Sequence, residues 1–375
     1  MKNVKTDFGA VGDYNPGSGT GADDTSAFAN AFASITTTFD ALYVPPGNYK
    51  ITSAIGSTSL GHAPGLNIYG DGMFSSVLYM IGSTGNPGGA TLNLSGAGFR
   101  LQHIGIIGQN KIQNLLAIGF TISGSSQANN YALLDNCRFG IFSVSDSFVN
   151  AIYANQLTGS SIRSCFIFGI LSPSNTFSGN GINFYESVNN RVTGCQLESL
   201  GNGITLTSGT STQGLLIQDN VLVGMNIGIE IPSSSGTAFV SVSNNIVDFC
   251  RSIGVSLNVP GGTGNVSENY IAVEASSPVT PVAGISIANS ARISTIGNSI
   301  VEYSGNASQN TVGIALFVSP NNTLNGNTTL SFNTGFYLDG TSDYCVITGN
   351  SAKTPFGSGF SNASTGSIVA DNTQS

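Results

Sequence analysis

The chain has 375 residues, a formal net charge of −8 and only 11 Lys and Arg. That excludes nucleic acid as a partner, because phosphate recognition needs a basic stripe, and an uncharged or weakly charged polymer fits better. Charged residues make up 8% and hydrophobic residues 40%, with 49 Gly among many Asn, Ser and Thr, a composition that suits a turn-rich all-β protein rather than a disordered one. No run approaches the roughly 20 apolar residues of a membrane span, so no membrane is expected as a partner. The opening residues show no apolar signal-peptide core, and five Cys, an odd number, make no disulfide framework.

The opening segment is the most specific. Asp7-Phe8-Gly9-Ala10-Val11-Gly12-Asp13 is followed by Ala22-Asp23-Asp24-Thr25 and by Leu42-Tyr43-Val44-Pro45-Pro46-Gly47. Asp23, Asp24 or Thr25 is placed to cap a short helix whose Ala27, Phe28, Ala31, Phe32 and Ile35 share an apolar face. Such a helix covers the open end of a solenoid. Residues 1–60 are read as signature and cap, and residues 61–375 as the coils of one continuous domain. Gly70-Asp71-Gly72 is read as a turn, since no helix-opening glycine fingerprint follows a strand here.

Further along, one pattern recurs: an aliphatic strand, a Cys or Asn anchor, a second short strand, then Gly-Ile-x-Leu. The anchors are Cys137, Cys165, Cys195, Asn220, Asn245, Asn269, Asn298, Asn327, Asn350 and Asn372, spaced 22 to 30 residues apart. That period and the alternation within runs such as Gly228-Ile229-Glu230-Ile231 predict a parallel β-helix of roughly 11 to 12 coils. Stacked coils lie about 4.8 Å apart, so equivalent aliphatics form inner columns. The Asn anchors are read as turn residues that bond local backbone and tolerate the left-handed region. Gly203, Gly228, Gly254, Gly284, Gly313 and Gly335 are read as positions needing positive φ. Cys137, Cys165 and Cys195 are read as a buried thiol column, and with His62 and His103 the only histidines, no metal is expected.

The opening signature and the downstream repeats resemble the pectate-lyase (pectin-lyase-like) superfamily over almost the whole chain, and most of all phage tailspike depolymerases. The resemblance implies an all-β, single-stranded right-handed parallel β-helix with an N-terminal capping helix. It also implies polysaccharide as partner, an extracellular or virion-associated (tail) location and a homotrimer as one expected assembly. It says more about fold than about reaction. The Tyr-Gly-x-Asp-Pro-His-Glu run of alginate epimerases is missing, as are the Asn-Thr-Asp, Gly-His-Asp and Arg-Ile-Lys motifs of polygalacturonases.

Loop lengths suggest where a groove lies. From anchor to the opening of the next strand the gap is 14 and 16 residues after Cys137 and Cys165, then 8, 8 and 9 after Cys195, Asn220 and Asn245. It rises to 15 after both Asn269 and Asn298. Insertions of this kind fall on one face of a repeat fold, so residues 143–151, 171–180, 275–282 and 304–311 are expected to wall a floor about 15 Å wide. Near them Tyr153, Phe177, Tyr185, Tyr270 and Tyr303 offer sugar-stacking faces.

Glu198 and Asp248 each lie three residues past their anchors, an expected separation of roughly 9 to 10 Å across two coils, near the upper limit for an inverting glycosidase pair. Glu274 and Glu302 begin the second wall on adjacent coils, where like charge raises one carboxyl pKa and supplies an acid. Arg251 is read as a substrate-binding cation, and Glu230 as an outward carboxylate that also contacts substrate. These four acids as the catalytic set make a glycoside hydrolase acting on a bacterial capsular, O-antigen or exopolysaccharide the first reading, with no cofactor. A polysaccharide lyase, which would bring a calcium ion, is second. A non-catalytic adhesin or receptor-binding spike is third.

Overall fold

The computed structural model describes residues 1–35, 41–60, 66–96, 98–119, 131–170, 179–207, 213–233, 239–274, 282–304, 310–354 and 357–375. Backbone contacts divide the chain into two units, Met1–Leu200 and Gly201–Ser375. Each is built of coils that contribute one strand to each of three parallel sheets, joined in the right-handed sense that twisted strands impose on parallel crossovers. The protein is a right-handed parallel β-helix.

In the first unit the first sheet runs from Lys2–Asn3 and Ala41–Val44 through Phe99–Gln102 to Arg191–Thr193. The second sheet runs from Gly47–Ile51 to Gln196–Glu198, and the third from Ile55–Leu60 to Asn180–Tyr185. Strict register stacks like on like: Tyr49, Leu78, Ile106, Phe139, Ile167 and Leu197 form one inner column, each at most 2% exposed. Burying each such side chain contributes about 2 kcal/mol.

The capping helix spans Thr25–Ala33 and buries Phe28, Ala31 and Phe32, with Phe28 edge-on to Tyr49 at 5.2 Å. Its aspartates divide the work. Asp23 Oδ1 accepts the Thr25 N–H at 3.0 Å at the helix start. Asp24, 2% exposed, makes no cap bond; it accepts the N–H groups of Val11 (2.6 Å) and Gly12 (3.1 Å) and so ties the signature loop to the helix.

In the second unit the buried anchors form a ladder. Asn269 Nδ2 donates to Asn298 Oδ1 at 2.9 Å and to Val242 O at 3.0 Å, while its N–H donates to the same Asn298 Oδ1 at 3.0 Å. The pattern repeats from Asn245 through Asn327 and Asn350 to Asn372. The left-handed residue is the one before the anchor: Asp219, Asn244, Glu268, Gly297, Gly326, Gly349 and Asp371 all have φ between 54° and 67°. In the first unit Asn136, Ser164 and Gly194 play that part before the buried Cys137, Cys165 and Cys195, which form no disulfide and whose thiols donate to backbone carbonyls. The thiol column is therefore structural.

The six glycines of the third sheet need correction. None has positive φ; they are required for space. A Cβ on Gly284 would lie 2.2 Å from Ile300 Cγ2 and 2.7 Å from Gly313 O, and each of the others meets its neighbours as closely. Backbone of the third sheet thus presses directly on the inner row of the second.

Two outcomes follow for equilibrium unfolding. Asn298→Ala strands the amides and N–H groups that bond it on both sides and is expected to cost about 3 kcal/mol or more. Gly284→Ala overpacks a site with no slack and is expected to cost about 1 to 3 kcal/mol. Unchanged urea midpoints would contradict both roles.

Candidate functional site

The second unit holds the most distinctive surface cluster. Strand Ile246–Cys250 pairs with Tyr270–Val273, but the register slips between Val247 and Cys250. The extra residue is Phe249, held at φ 53°. A bulky aromatic in the left-handed region is a strained outlier, of the kind that collects at functional positions. The bulge turns its ring outward, 47% exposed, where it stacks on Tyr303 with centroids 5.6 Å apart and planes 21° from parallel. Tyr303, itself 49% exposed, shares a short hydroxyl–hydroxyl bond with Tyr270.

Asp248 sits at the foot of this platform, half-buried, its Oδ1 accepting the Phe249 N–H at 3.0 Å. The Tyr303 hydroxyl, partial burial and the nearby charges of Tyr303 and Asp248 push the Tyr270 phenol up to about 12. Burial, followed by the Asp248 charge, pushes the Cys250 thiol up to about 12. Tyr270 therefore stays protonated at neutral pH.

Of the other acids, Glu274 is exposed and begins the next connection, its N–H donating to Cys250 O at 2.7 Å. Glu302 pairs in register with Val273, is 3% exposed, and accepts the Ser304 N–H at 2.7 Å, so it holds the turn that follows it. Arg251 is half-buried just beyond the bulge, its N–H donating to Met225 O. Asp248, Tyr270 and Tyr303 are thus brought together, with Glu274 and Glu302 on the two coils that follow Asp248.

Glu230 belongs to a different sheet of this unit, on strand Ile227–Ile231, in register with Thr205 and Ser256. Asn202 Nδ2 donates to its Oε2 at 2.7 Å, and Thr205 Oγ1 lies at 3.5 Å. Burial raises its carboxyl pKa against the opposing pull of Thr205. Glu198 and Tyr185 lie in the first unit on different sheets. Glu198 accepts from Gln196 Nε2 and pairs in register with Phe168, whose ring stacks on Phe166 at 5.1 Å. Tyr185 ends strand Asn180–Tyr185 beside Asn155.

Of the expected walls, residues 171–178, 275–281 and 305–309 lie outside the described residues, as do Phe177 and His62. Residues 143–146 form a tight turn closed by Asp146, and strand Ser147–Asn155 takes over directly, so residues 143–151 are no projecting loop. His103 Nδ1 pairs with Asn136 Nδ2 at 2.7 Å, and among the described residues no three His, Cys, Asp or Glu side chains converge as a metal site would need. Among the described residues no helix is long and apolar enough to cross a membrane.

Sequence reasoning missed Phe249. Its signal was present: the gap after Asn245 is 9 residues where those after Cys195 and Asn220 are 8, and the additional residue is the bulge.

No protein-family model matches the chain, and no curated protein matches it in sequence. Solved structures do. The A-module of the mannuronan C-5 epimerase AlgE6 of Azotobacter vinelandii aligns over 100% of this chain and 99% of its own, with a TM-score of 0.71 and 16% identity. The DFA-IIIase of Arthrobacter chlorophenolicus aligns over 92% and 93%, at 0.60 and 14%. The tailspike of E. coli bacteriophage HK620 aligns over 94% of this chain and 66% of its own, at 0.61 and 13%. At these identities the likeness is one of fold.

Two titrations probe these sites. Tyr270 is expected to ionise at about 12 and Tyr303→Phe to bring it down toward an ordinary phenol, read from phenolate absorbance against the parent protein. For Glu230, burial favours the neutral acid, so its stabilising contribution is full below the ordinary glutamate range and is lost as pH rises through the raised value. Glu230→Gln should match the parent in acid and melt higher at neutral pH; equal melting curves at both pH values would show that its burial carries no such cost.

Proposed function

We propose that the protein binds and cleaves a polysaccharide as a glycoside hydrolase, with the Asp248–Phe249–Tyr303–Tyr270 cluster as its substrate platform. The observation that carries this reading is the bulge at Phe249. It spends backbone strain to expose one aromatic face on another beside a carboxylate, which gives a sugar ring an apolar surface to stack on and an acid at its edge. Asp248 and Glu274, on adjacent coils, supply the acid and base of glycosidic cleavage, and Glu302 fixes the turn beyond them. Arg251 contacts a hydroxyl or acidic substituent of the bound polymer.

Supporting this, the structural neighbours include a mannuronan epimerase and a phage tailspike. Hydrolysis is preferred to elimination because a lyase needs a base, and the Tyr270 phenol, pushed up to about 12, is a poor one near neutrality. A capsular, O-antigen or exopolysaccharide substrate places the action outside the bacterial cell, on a phage tail or free, and the tailspike fold is consistent with a trimer.

The test is incubation with a panel of bacterial capsular, O-antigen and exopolysaccharides. New reducing ends without the ultraviolet absorbance of an unsaturated uronate are expected. Asp248→Asn should reduce cleavage by about 100-fold or more while sparing binding. Phe249→Ala should weaken binding by about tenfold, the value of one stacked ring. Absorbing products would establish the lyase instead, and bound but uncut polymer would leave a glycan-binding spike.

A further inference from the structure

The first unit contains a separate cleft of about 350 Å³ between the signature loop and the second sheet, lined by Tyr14, Pro16, Lys50, Gln109, Phe142 and Asp146 among others. Its volume is at the low end for small-molecule sites and leaves room for one or two sugar rings. Two rings line it, backed by a third: Tyr14 packs edge-on to Tyr79 at 5.4 Å, Tyr79 edge-on to Phe142 at 6.2 Å, and Phe142 remains 42% exposed. The polar side is prearranged. Tyr14 Oη donates to Gln109 Oε1, and Gln109 Nε2 donates to Pro16 O at 3.2 Å, which holds the loop over the sheet. Asp146 is already engaged, accepting the N–H groups of Asn110 at 2.7 Å and Ser143 at 2.8 Å.

A lysine lines this cleft in a chain of net charge −8. Lys50 Nζ lies 5.5 Å over the Tyr14 ring and forms no ion pair among the described residues. Across Tyr79, the Arg138 guanidinium is held between Phe74 and Phe168, 4.9 and 4.7 Å from their centroids. Its Nε is buried with no hydrogen-bond partner, and no carboxylate among the described residues pairs with it. Lys50 is thus held against an aromatic face, with the Asp23 charge within electrostatic reach but no ion pair formed, and Asp146 is already bonded to two N–H groups, so the Lys50 ammonium can take an anion delivered from outside.

We propose that this cleft is a binding site for an acidic saccharide, with Phe142 as its stacking face, Lys50 as the carboxylate-recognising cation and Arg138 adding positive charge from behind Tyr79. The site stands on the first unit alone and does not depend on the Asp248 platform. A polymer with repeating uronate units would be gripped here whatever happens to it elsewhere.

The experiment is calorimetric titration of the full chain with cellobiuronate and with cellobiose, which differ by one carboxylate. The acidic disaccharide is expected to bind about tenfold more tightly at low salt, and the preference to shrink as salt rises. Lys50→Met should bring the two affinities close together, and Phe142→Ala should weaken both. Equal affinities, no binding of the acidic sugar, or a preference untouched by Lys50→Met would each overturn the proposal. The salt series on the unaltered protein decides the matter should a variant fail to fold.

Discussion

The second unit depends on one repeated interaction, the buried asparagine amide that bonds the coil on either side of it. Each Asn Oδ1 takes two donors from its neighbour, and each Nδ2 returns one bond to the next amide and one to a carbonyl. A buried amide is tolerable only when fully bonded, so every rung requires the next. The left-handed residue before each anchor makes the turn short enough for this, with two residues between strands such as Leu215–Gln218 and Val221–Val223. In the first unit Cys137, Cys165 and Cys195 replace the amide with a weak donor and rely on burial instead.

With register fixed at that corner, a departure elsewhere stays local. The ladder is intact at Val247 opposite Ile271, slips by one residue, and resumes at Cys250 opposite Val273. Phe249 is the whole of the slip. Because inner columns on both sides keep their places, the strain at one aromatic residue changes only what the outer surface presents.

The coil period, the inner columns, the anchors and the capping helix were legible in the sequence because each repeats or obeys a local rule. The roles of particular residues were less so. The third-sheet glycines read as turn residues from their position, yet their reason is a carbonyl and a methyl group from the adjoining elements, and no periodicity reports a close approach. Asp24 looked like a cap because it precedes a helix, but its partners Val11 and Gly12 come from a loop folded back over it. Column arithmetic paired Asp248 with Glu198, while Tyr270 and Tyr303 were named only as rings near the walls; their meeting with Asp248 depends on the bulge at Phe249, which no repeat spacing reports. Glu302 read as a catalytic acid opening the second wall, and the turn at Ser304 holds it almost wholly buried instead.

All the pairings between strands join residues a full coil apart in sequence, with no hairpin among the named strands. Hardly any native sheet contact is therefore available to a short stretch of nascent chain. Loop-closure entropy must be met before the first rung forms, which makes such a topology slow to assemble. The same arithmetic runs in reverse. A protease or detergent must wait for a coil to lose all three sheets together, so the durability of this protein resides as much in the rate of opening as in its equilibrium stability.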